Sequence, residues 1–152
     1  MRSLVVADTS SLIIFEKLDC FGLLPQIYDQ VVTTPEILNE YGHSLPNWFI
    51  IKSVQNQILL RFLESRVDTG EASAIALVME LNDALLILDD LKARKLAKQM
   101  GLKLTGSLGV LSKAKDLGVL KQIRPIVDKL RETDFRISEK ILEALLEKHG
   151  EL

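Results

Sequence analysis

The sequence has only one cysteine, Cys20, among its 152 residues. A single thiol excludes an internal disulfide and any zinc site built from several cysteines. Histidine is almost as scarce, with one residue at position 43 and another at position 149. These two isolated histidines indicate neither metal ligation nor base catalysis, and we expect both His43 and His149 to be exposed to solvent. The cysteine content favours a reducing compartment.

The chain also lacks an excess of basic residues and a long apolar run. Its formal net charge is −2, which gives no global attraction for nucleic acid. An enzyme acting on phosphodiesters needs only a local basic rim, however. The first apolar run, residues 4–7, ends at Asp8, too early for the core of a signal peptide, and no later run approaches membrane-spanning length. We expect a cytoplasmic protein without a membrane partner.

The composition is that of an ordinary globular protein, with 47% apolar and 26% charged residues. The length suits one domain covering residues 1–152. Short β-prone runs alternate with helical segments, which predicts a three-layer α/β/α fold around a mostly parallel sheet. The expected strands cover residues 4–7, 27–33, 48–54, 85–88 and 102–105. The last predicted helix, about 138–149, has an apolar face that packs on the domain or on a partner subunit.

Two adjacent carboxylates, Asp89 and Asp90, follow the apolar run 85–88. Ligands of open α/β sheets bind outside the carboxyl ends of the strands, so both aspartates are expected at a functional site. Asp8 follows the first strand in the same way, with Ser10 beside it. The simpler interpretation of Asp8 is a cap for the next helix.

Glutamates on helices are further candidates for this edge of the sheet. The first-turn position of Glu36 is explained by the helix dipole, whereas Glu40, one turn further along, gains little from it and is the better functional candidate. Glu71 begins a helix rich in small residues, which can lie close to the sheet. Its simpler interpretation is a capping box with Asp68.

Several acids are therefore expected along one edge of the sheet. Like charges gathered without a cation raise pKa values and reduce stability, so the pattern indicates a divalent metal, and oxygen ligands favour Mg²⁺ or Mn²⁺. Such an ion can activate water against a phosphodiester. Arg94 either pairs with Asp90 or meets a substrate phosphate. The expected phosphate-holding rim consists of Lys92, Arg94, Lys95, Lys113 and Lys115.

Four segments, in this order, resemble the PIN domain family and cover most of the chain. They are residues 5–10, 34–40, 70–76 and 86–90. The Gly70-Glu71 helix start and the Thr-Gly-Ser-Leu-Gly segment at 105–109 narrow the resemblance to the VapC-like branch. The resemblance implies a metal-dependent ribonuclease, often the toxin of a toxin–antitoxin pair, and frequently a homodimer.

The resemblance also implies roles for particular residues. The implied catalytic set is Asp8, Glu40, Glu71, Asp89 and Asp90, of which Asp8, Glu71 and one or both adjacent aspartates would hold metal. The implied substrate-binding residues are Ser10, Arg94 and Ser107. Two motifs depart from the family pattern. Glu71 replaces the usual aspartate of the third motif, and either 87–89 or 88–90 replaces the usual Thr-x-Asp of the fourth.

The leading hypothesis is an Mg²⁺- or Mn²⁺-dependent endoribonuclease with RNA as substrate and an antitoxin protein as a candidate partner. The alternative is a catalytically weak or inactive PIN-like module that binds RNA or protein through the same surface. A phosphoacceptor domain is less favoured. Its paired acids normally follow the first strand and a lysine follows the last, whereas here the pair is late and Thr105 stands at the end of the last strand.

Overall fold

The computed structural model describes residues 3–152 and contains a five-stranded, entirely parallel sheet. The strands are β1 (Leu4–Ala7), β2 (Gln30–Thr33), β3 (Ile50–Ile51), β4 (Ala84–Ile87) and β5 (Leu104–Thr105). Their order across the sheet is β3-β2-β1-β4-β5. The predicted α/β architecture around a parallel sheet is confirmed.

Helices connect the strands and cover the sheet. They are α1 (Thr9–Lys17), α2 (Leu24–Ile27), α3 (Pro35–Tyr41), α4 (Gln57–Glu64), α5 (Thr69–Glu80), α6 (Leu91–Gln99), α7 (Ser107–Asp116), α8 (Arg124–Arg131) and α9 (Glu139–Lys148), with a 3₁₀ turn at Phe21–Leu23. In the part of the chain that the structure describes, no helix is long and apolar enough to cross a bilayer.

The two central strands bring the first and fourth acidic segments to the same edge of the sheet. Ala7 of β1 is in register with Ile87 of β4, and the N–H of Asp8 donates to the Ile87 carbonyl oxygen over 3.3 Å. Both strands are largely buried, because helices cover both of their faces, which is why they appear in the sequence as continuous apolar runs. Asp8 and Asp89 therefore follow neighbouring strands and lie at the same end of the sheet.

Helix α5 packs closely against the centre of the fold. Ala72, Ala74 and Ala76 are fully buried, as expected for a helix whose small side chains let it approach the sheet. The Ser73 hydroxyl lies 2.7 Å from the hydroxyl of Thr34, which caps α3. This packing carries the first turn of α5, with Glu71, to the carboxyl edge of the strands.

Several sequence-based boundaries were wrong. The second strand begins at Gln30 rather than at residue 27, because Pro25 occupies the first turn of the short helix α2. The third and fifth strands contain two residues each, shorter than predicted, and both lie at sheet edges. Helix α9 buries Leu142 and Leu146 against the rest of the described chain and leaves Ile141 exposed.

The prediction for the two histidines was half right. The His43 side chain is 64% exposed and contacts Glu16, whereas the His149 side chain is only 5% exposed. His149 Nε2 lies 2.8 Å from the Ser112 hydroxyl of α7, because α9 packs across that helix and encloses the imidazole. The prediction of an exposed His149 was therefore wrong.

Candidate active site

Asp8 combines the capping role and the acidic role that the sequence offered as alternatives. Its side chain caps α1: Oδ1 accepts hydrogen bonds from the Ser11 N–H at 3.0 Å and the Ser11 hydroxyl at 2.6 Å. The residue is 1% exposed, and Oδ2 is buried without any hydrogen-bond partner in the described structure. Burial raises the pKa of Asp8 from 3.8 to about 7, with the nearby Asp89 and Glu71 carboxylates adding to the rise. One carboxylate oxygen is thus left for a ligand.

Asp89 and Asp90 have different environments, although they are adjacent. Asp89 accepts from the Ser107 N–H at 2.8 Å and from the Ser107 hydroxyl at 2.6 Å. The Ser11 hydroxyl, which donates to Asp8, also lies 3.3 Å from Asp89 Oδ2. Asp90 instead caps α6, accepting from the Ala93 N–H at 2.9 Å. The Ser11 hydroxyl therefore links Asp8 to Asp89, while Asp90 holds the helix start.

Gly106 explains how Asp89 and the start of α7 approach each other. A Cβ atom added at this residue would lie 2.9 Å from Asp89 Oδ1 and 3.3 Å from Arg94 Nη1. A side chain here would push the carboxylate away from the N-terminus of α7. The Thr-Gly-Ser segment seen in the sequence thus serves to hold a carboxylate of this chain through Ser107.

Glu71 lies in the first turn of α5, among other carboxylates. Burial, together with the charges of Asp90, Asp68 and Glu40, raises the pKa of Glu71 to about 7. The Asp68 N–H donates to Glu71 and opposes this rise, but the Asp68 side chain makes no capping hydrogen bond. The predicted capping box is therefore only half formed, which leaves the Asp68 carboxylate directed elsewhere.

Glu40 approaches the same helix start from α3. The Thr9 hydroxyl donates a short hydrogen bond to Glu40 Oε1. A Cβ atom on Gly70 would lie 2.6 Å from that oxygen and 3.2 Å from the Thr9 hydroxyl, so glycine is required for this close contact. Glu40 is thereby placed beside α5 and close enough to Glu71 to affect its pKa.

A cavity of about 480 Å³ opens at this edge of the sheet. Of the residues proposed from the sequence, it is lined by Ser10, Glu71, Asp89, Asp90 and Ser107. Asp8 is buried beneath it, and Glu40 and Arg94 do not line it. The structure thus gathers the acidic segments around one cavity, with Asp8 buried and Glu40 exposed beside the start of α5.

The cavity also has lining residues that the sequence analysis missed. Asp68 was considered only as a helix cap, whereas Phe135, Arg136 and Ile137, between α8 and α9, were not considered at all. The alternation of apolar and basic residues at 135–137 predicts an outward-facing Arg136 between two inward-facing neighbours. It does not indicate which part of the fold these residues approach.

Three of the five basic residues expected at the rim make other contacts. Arg94 Nη1 donates to the Leu88 carbonyl oxygen at 2.7 Å, and no ion pair links Arg94 to Asp90 within the described residues. Lys113 lies over the Tyr28 ring, and Lys115 pairs with Glu151. The surface pairing of Asp90 with Arg94 was wrong, because the arginine turns inward to satisfy a backbone oxygen left free at the end of β4.

The donor set nevertheless fits a hard divalent cation. Among residues 3–152, no three His, Cys, Asp or Glu side chains are already arranged around a common ion position. The Asp8 Oδ2 atom is buried without a hydrogen-bond donor among the described residues, and the pKa values of Asp8 and Glu71 are raised. Both features are expected of carboxylates in a metal-free cation site. All available donors are oxygens, which suit Mg²⁺, Mn²⁺ or Ca²⁺.

Comparison with known proteins agrees with this geometry. A family model described as a PIN domain matches residues 4–151, almost the whole chain. A search of curated proteins finds no match.

Proposed function

The chain belongs to the PIN domain family, whose members are typically metal-dependent nucleases, and from this premise we propose that it is a metal-dependent endoribonuclease. The observation that carries the proposal is the buried Asp8 carboxylate, whose Oδ2 has no hydrogen-bond donor within the described chain. The Ser11 hydroxyl links this carboxylate to Asp89, which lines the acidic cavity. An unpaired buried carboxylate oxygen reduces stability, and a bound cation removes that cost.

The proposed metal ligands are Asp8, Asp89 and Glu71. Asp90 is a further carboxylate lining the cavity. Ser11 orients Asp8 through two hydrogen bonds, and Ser107 orients Asp89 in the same way. Such bonds fix a carboxylate before a ligand arrives, which reduces the ordering needed on binding. When bound, Mg²⁺ or Mn²⁺ polarises the phosphate and lowers the pKa of a water molecule.

Glu40, which is not among the proposed metal ligands, is proposed to accept the proton of the attacking water. The Thr9 hydroxyl holds Glu40 next to the start of α5. Ser10 and the helix starts at the cavity provide hydroxyl and N–H donors for the substrate phosphate.

The VapC-like resemblance of residues 70–76 and 105–109 supports a narrower role as the toxin of a toxin–antitoxin pair. In that role the chain forms a homodimer, and an antitoxin protein covers the acidic cavity. Expression of the wild-type chain would then arrest growth of a bacterial host, and the inactive variant described next would not.

The decisive experiment compares wild type with Asp8→Asn on a labelled RNA in the presence of Mn²⁺. The variant keeps a side chain of the same size and the Ser11 hydrogen bonds but loses the anionic ligand, so we expect cleavage to fall by at least about 100-fold. Asp83→Asn is the matched control, because Asp83 is an exposed carboxylate that pairs with Lys103. It directly precedes β4, at the opposite end of the strands from the acids. Cleavage by Asp8→Asn at the wild-type rate would refute the assignment.

The alternative function is a PIN-like module that binds RNA or protein without cleaving. The lack of a preformed three-ligand group among residues 3–152, and the use of Asp90 as a helix cap, favour this alternative. A calorimetric titration of the wild-type protein with Mn²⁺ separates the two functions. RNA binding with no detectable metal binding supports the module, whereas metal binding lost in Asp8→Asn supports the nuclease.

A further inference from the structure

The acidic cavity poses an electrostatic problem for a nucleic-acid substrate. Four carboxylates line it: Asp68, Glu71, Asp89 and Asp90. Three of the five cations expected to counter them are engaged elsewhere, with Arg94 on a backbone oxygen, Lys113 on an aromatic ring and Lys115 in an ion pair. The other two, Lys92 and Lys95, are exposed and do not line the cavity. A metal ion at the acids can attract the phosphate that is cleaved, but the neighbouring phosphates of a polyanion still need a positive contact.

Arg136 is the basic side chain that lines this cavity. It lies between Phe135 and Ile137, both partly buried and packed against the core, while Arg136 itself is exposed. Within residues 3–152, no carboxylate lies within 4.0 Å of the Arg136 guanidinium. Its five N–H donors are therefore free of ion pairs.

The segment carrying Arg136 is held in place at several points. Lys17 of α1 pairs with Asp134 over 2.8 Å, and its ammonium also lies 5.4 Å from the centre of the Phe135 ring. The Thr133 hydroxyl donates to the Leu130 carbonyl oxygen at 2.6 Å and accepts from the Phe135 N–H at 3.3 Å. These contacts fix the chain from Thr133 to Phe135, directly before Arg136, which lines the cavity.

The cavity lining combines acids with the apolar side chains of Ile14, Leu108, Leu130, Phe135 and Ile137. Arg136 stands between two of these apolar residues, Phe135 and Ile137, and forms no ion pair with the acids in the described part of the chain. Its planar fork matches two oxygens of a phosphate, a geometry that a lysine ammonium cannot reproduce.

We propose that Arg136 is a substrate-binding residue that holds an RNA phosphate next to the one cleaved at the acids. This proposal rests on the proposed ribonuclease function, because it assigns the position of the same substrate. Arg136 contributes to binding and register on the strand, and the acids carry out the hydrolysis.

The test measures RNA binding and cleavage separately for wild type, Arg136→Ala and Arg136→Lys. Binding of a fluorescent single-stranded RNA is followed by anisotropy in EDTA, where no metal-dependent cleavage occurs. We expect Arg136→Ala to weaken binding by about tenfold and to reduce the slope of log K against log salt by about 0.7, as for one lost phosphate contact on a single strand. With Mn²⁺ present, KM should rise by a similar factor while kcat changes little. Arg136→Lys should restore part of the affinity.

Lys98→Ala is the matched charge control. Helix α6 begins at the acidic edge and runs away from it for nine residues, so the exposed Lys98 in its last turn is distant from the cavity. We expect this variant to bind and cleave RNA as the wild type does. An equal loss of affinity in Lys98→Ala and Arg136→Ala would show a general charge effect and overturn the proposal.

The outcomes distinguish this proposal from the proposed function. Unchanged affinity and unchanged KM in Arg136→Ala refute the role of Arg136, even if Asp8→Asn abolishes cleavage. Faster cleavage by Arg136→Ala also refutes it, because the arginine would then be restraining the acids. If the wild type cleaves no RNA, the nuclease proposal fails, and the binding measurements in EDTA still decide whether Arg136 contacts RNA.

Discussion

Asp8→Asn should stabilise the metal-free protein at high pH while removing its activity. The carboxyl group is almost completely buried, and its pKa rises from 3.8 to about 7 on folding, first because of burial and then because of Asp89 and Glu71. A carboxyl group whose pKa is raised in the folded state stabilises the protein when protonated. That contribution is lost as pH rises from about 4 to about 7 and stays absent above that range.

The size of this effect on the free energy of unfolding follows from the shift in the pKa of Asp8. A rise from 3.8 to about 7 corresponds to about 4 kcal/mol at alkaline pH. This value is an upper limit, because structural relaxation and water entry reduce the cost of a buried charge. Asparagine has no charge to bury, keeps an oxygen for the Ser11 donors and places an amide at the unpartnered Oδ2 position. For a chain of this size, about 2–4 kcal/mol raises Tm by roughly 5–15 °C.

The assay is thermal unfolding in EDTA at pH values from 4 to 9, for wild type, Asp8→Asn and the control Asp83→Asn. The difference in Tm between Asp8→Asn and wild type should grow up to about pH 7 and then remain constant. Asp83→Asn should show no such growth, because Asp83 lies exposed in an ion pair. Saturating Mn²⁺ should raise the Tm of the wild type and leave that of Asp8→Asn unchanged. A pH-independent difference, or a less stable variant at pH 8, would refute the reasoning.

Two further substitutions test how the acids are held. Gly70→Ala should reduce cleavage by about tenfold or more, because the new Cβ displaces the mobile end of the Glu40 side chain. The free energy of unfolding should change by less than about 1 kcal/mol. Kinetics and thermal unfolding check both results against Gly22→Ala, whose new Cβ would contact no other described residue. Ser107→Ala should weaken Mn²⁺ binding by about 10-fold, since the carboxylate it orients loses one of its donors. Calorimetry checks this against Ser65→Ala, because the Ser65 hydroxyl donates to the Phe62 carbonyl oxygen and orients no carboxylate. Unchanged cleavage in the first variant, or unchanged metal affinity in the second, would contradict these roles.

Local patterns in the sequence were sufficient for the elements that form the acidic edge. The apolar run ending at Asp8 predicted the strand β1, and the run 85–88 predicted the strand before Asp89. These features depend on neighbouring residues, which is why they can be read from one sequence. The choice between cap and ligand could not be made in the same way. Asp8 and Asp90 both cap helices, yet Asp8 Oδ2 is left unpartnered.

Features created by packing between distant segments were not predicted. His149 is enclosed because α9 crosses α7, and nothing near it in the sequence indicates this. Arg94 satisfies the Leu88 carbonyl oxygen, a need that arises only when β4 ends at the cavity. Arg136 reaches the cavity through the tethering of its loop to Lys17, across most of the length of the chain.

The cavity joins side chains from the beginning of the chain, such as Ser10 and Ile14, to Phe135 and Ile137 near its end. Contacts between segments so far apart in sequence close only after a large entropic cost, and they therefore tend to form late in folding. The central parallel strands and the acids at their ends can assemble before α8 docks. An early folding species would then expose the acids at the strand ends before Phe135 and Ile137 pack beside them. Recovery of RNA binding during refolding would lag behind recovery of helical circular dichroism, and the delay would measure the docking of the last segment.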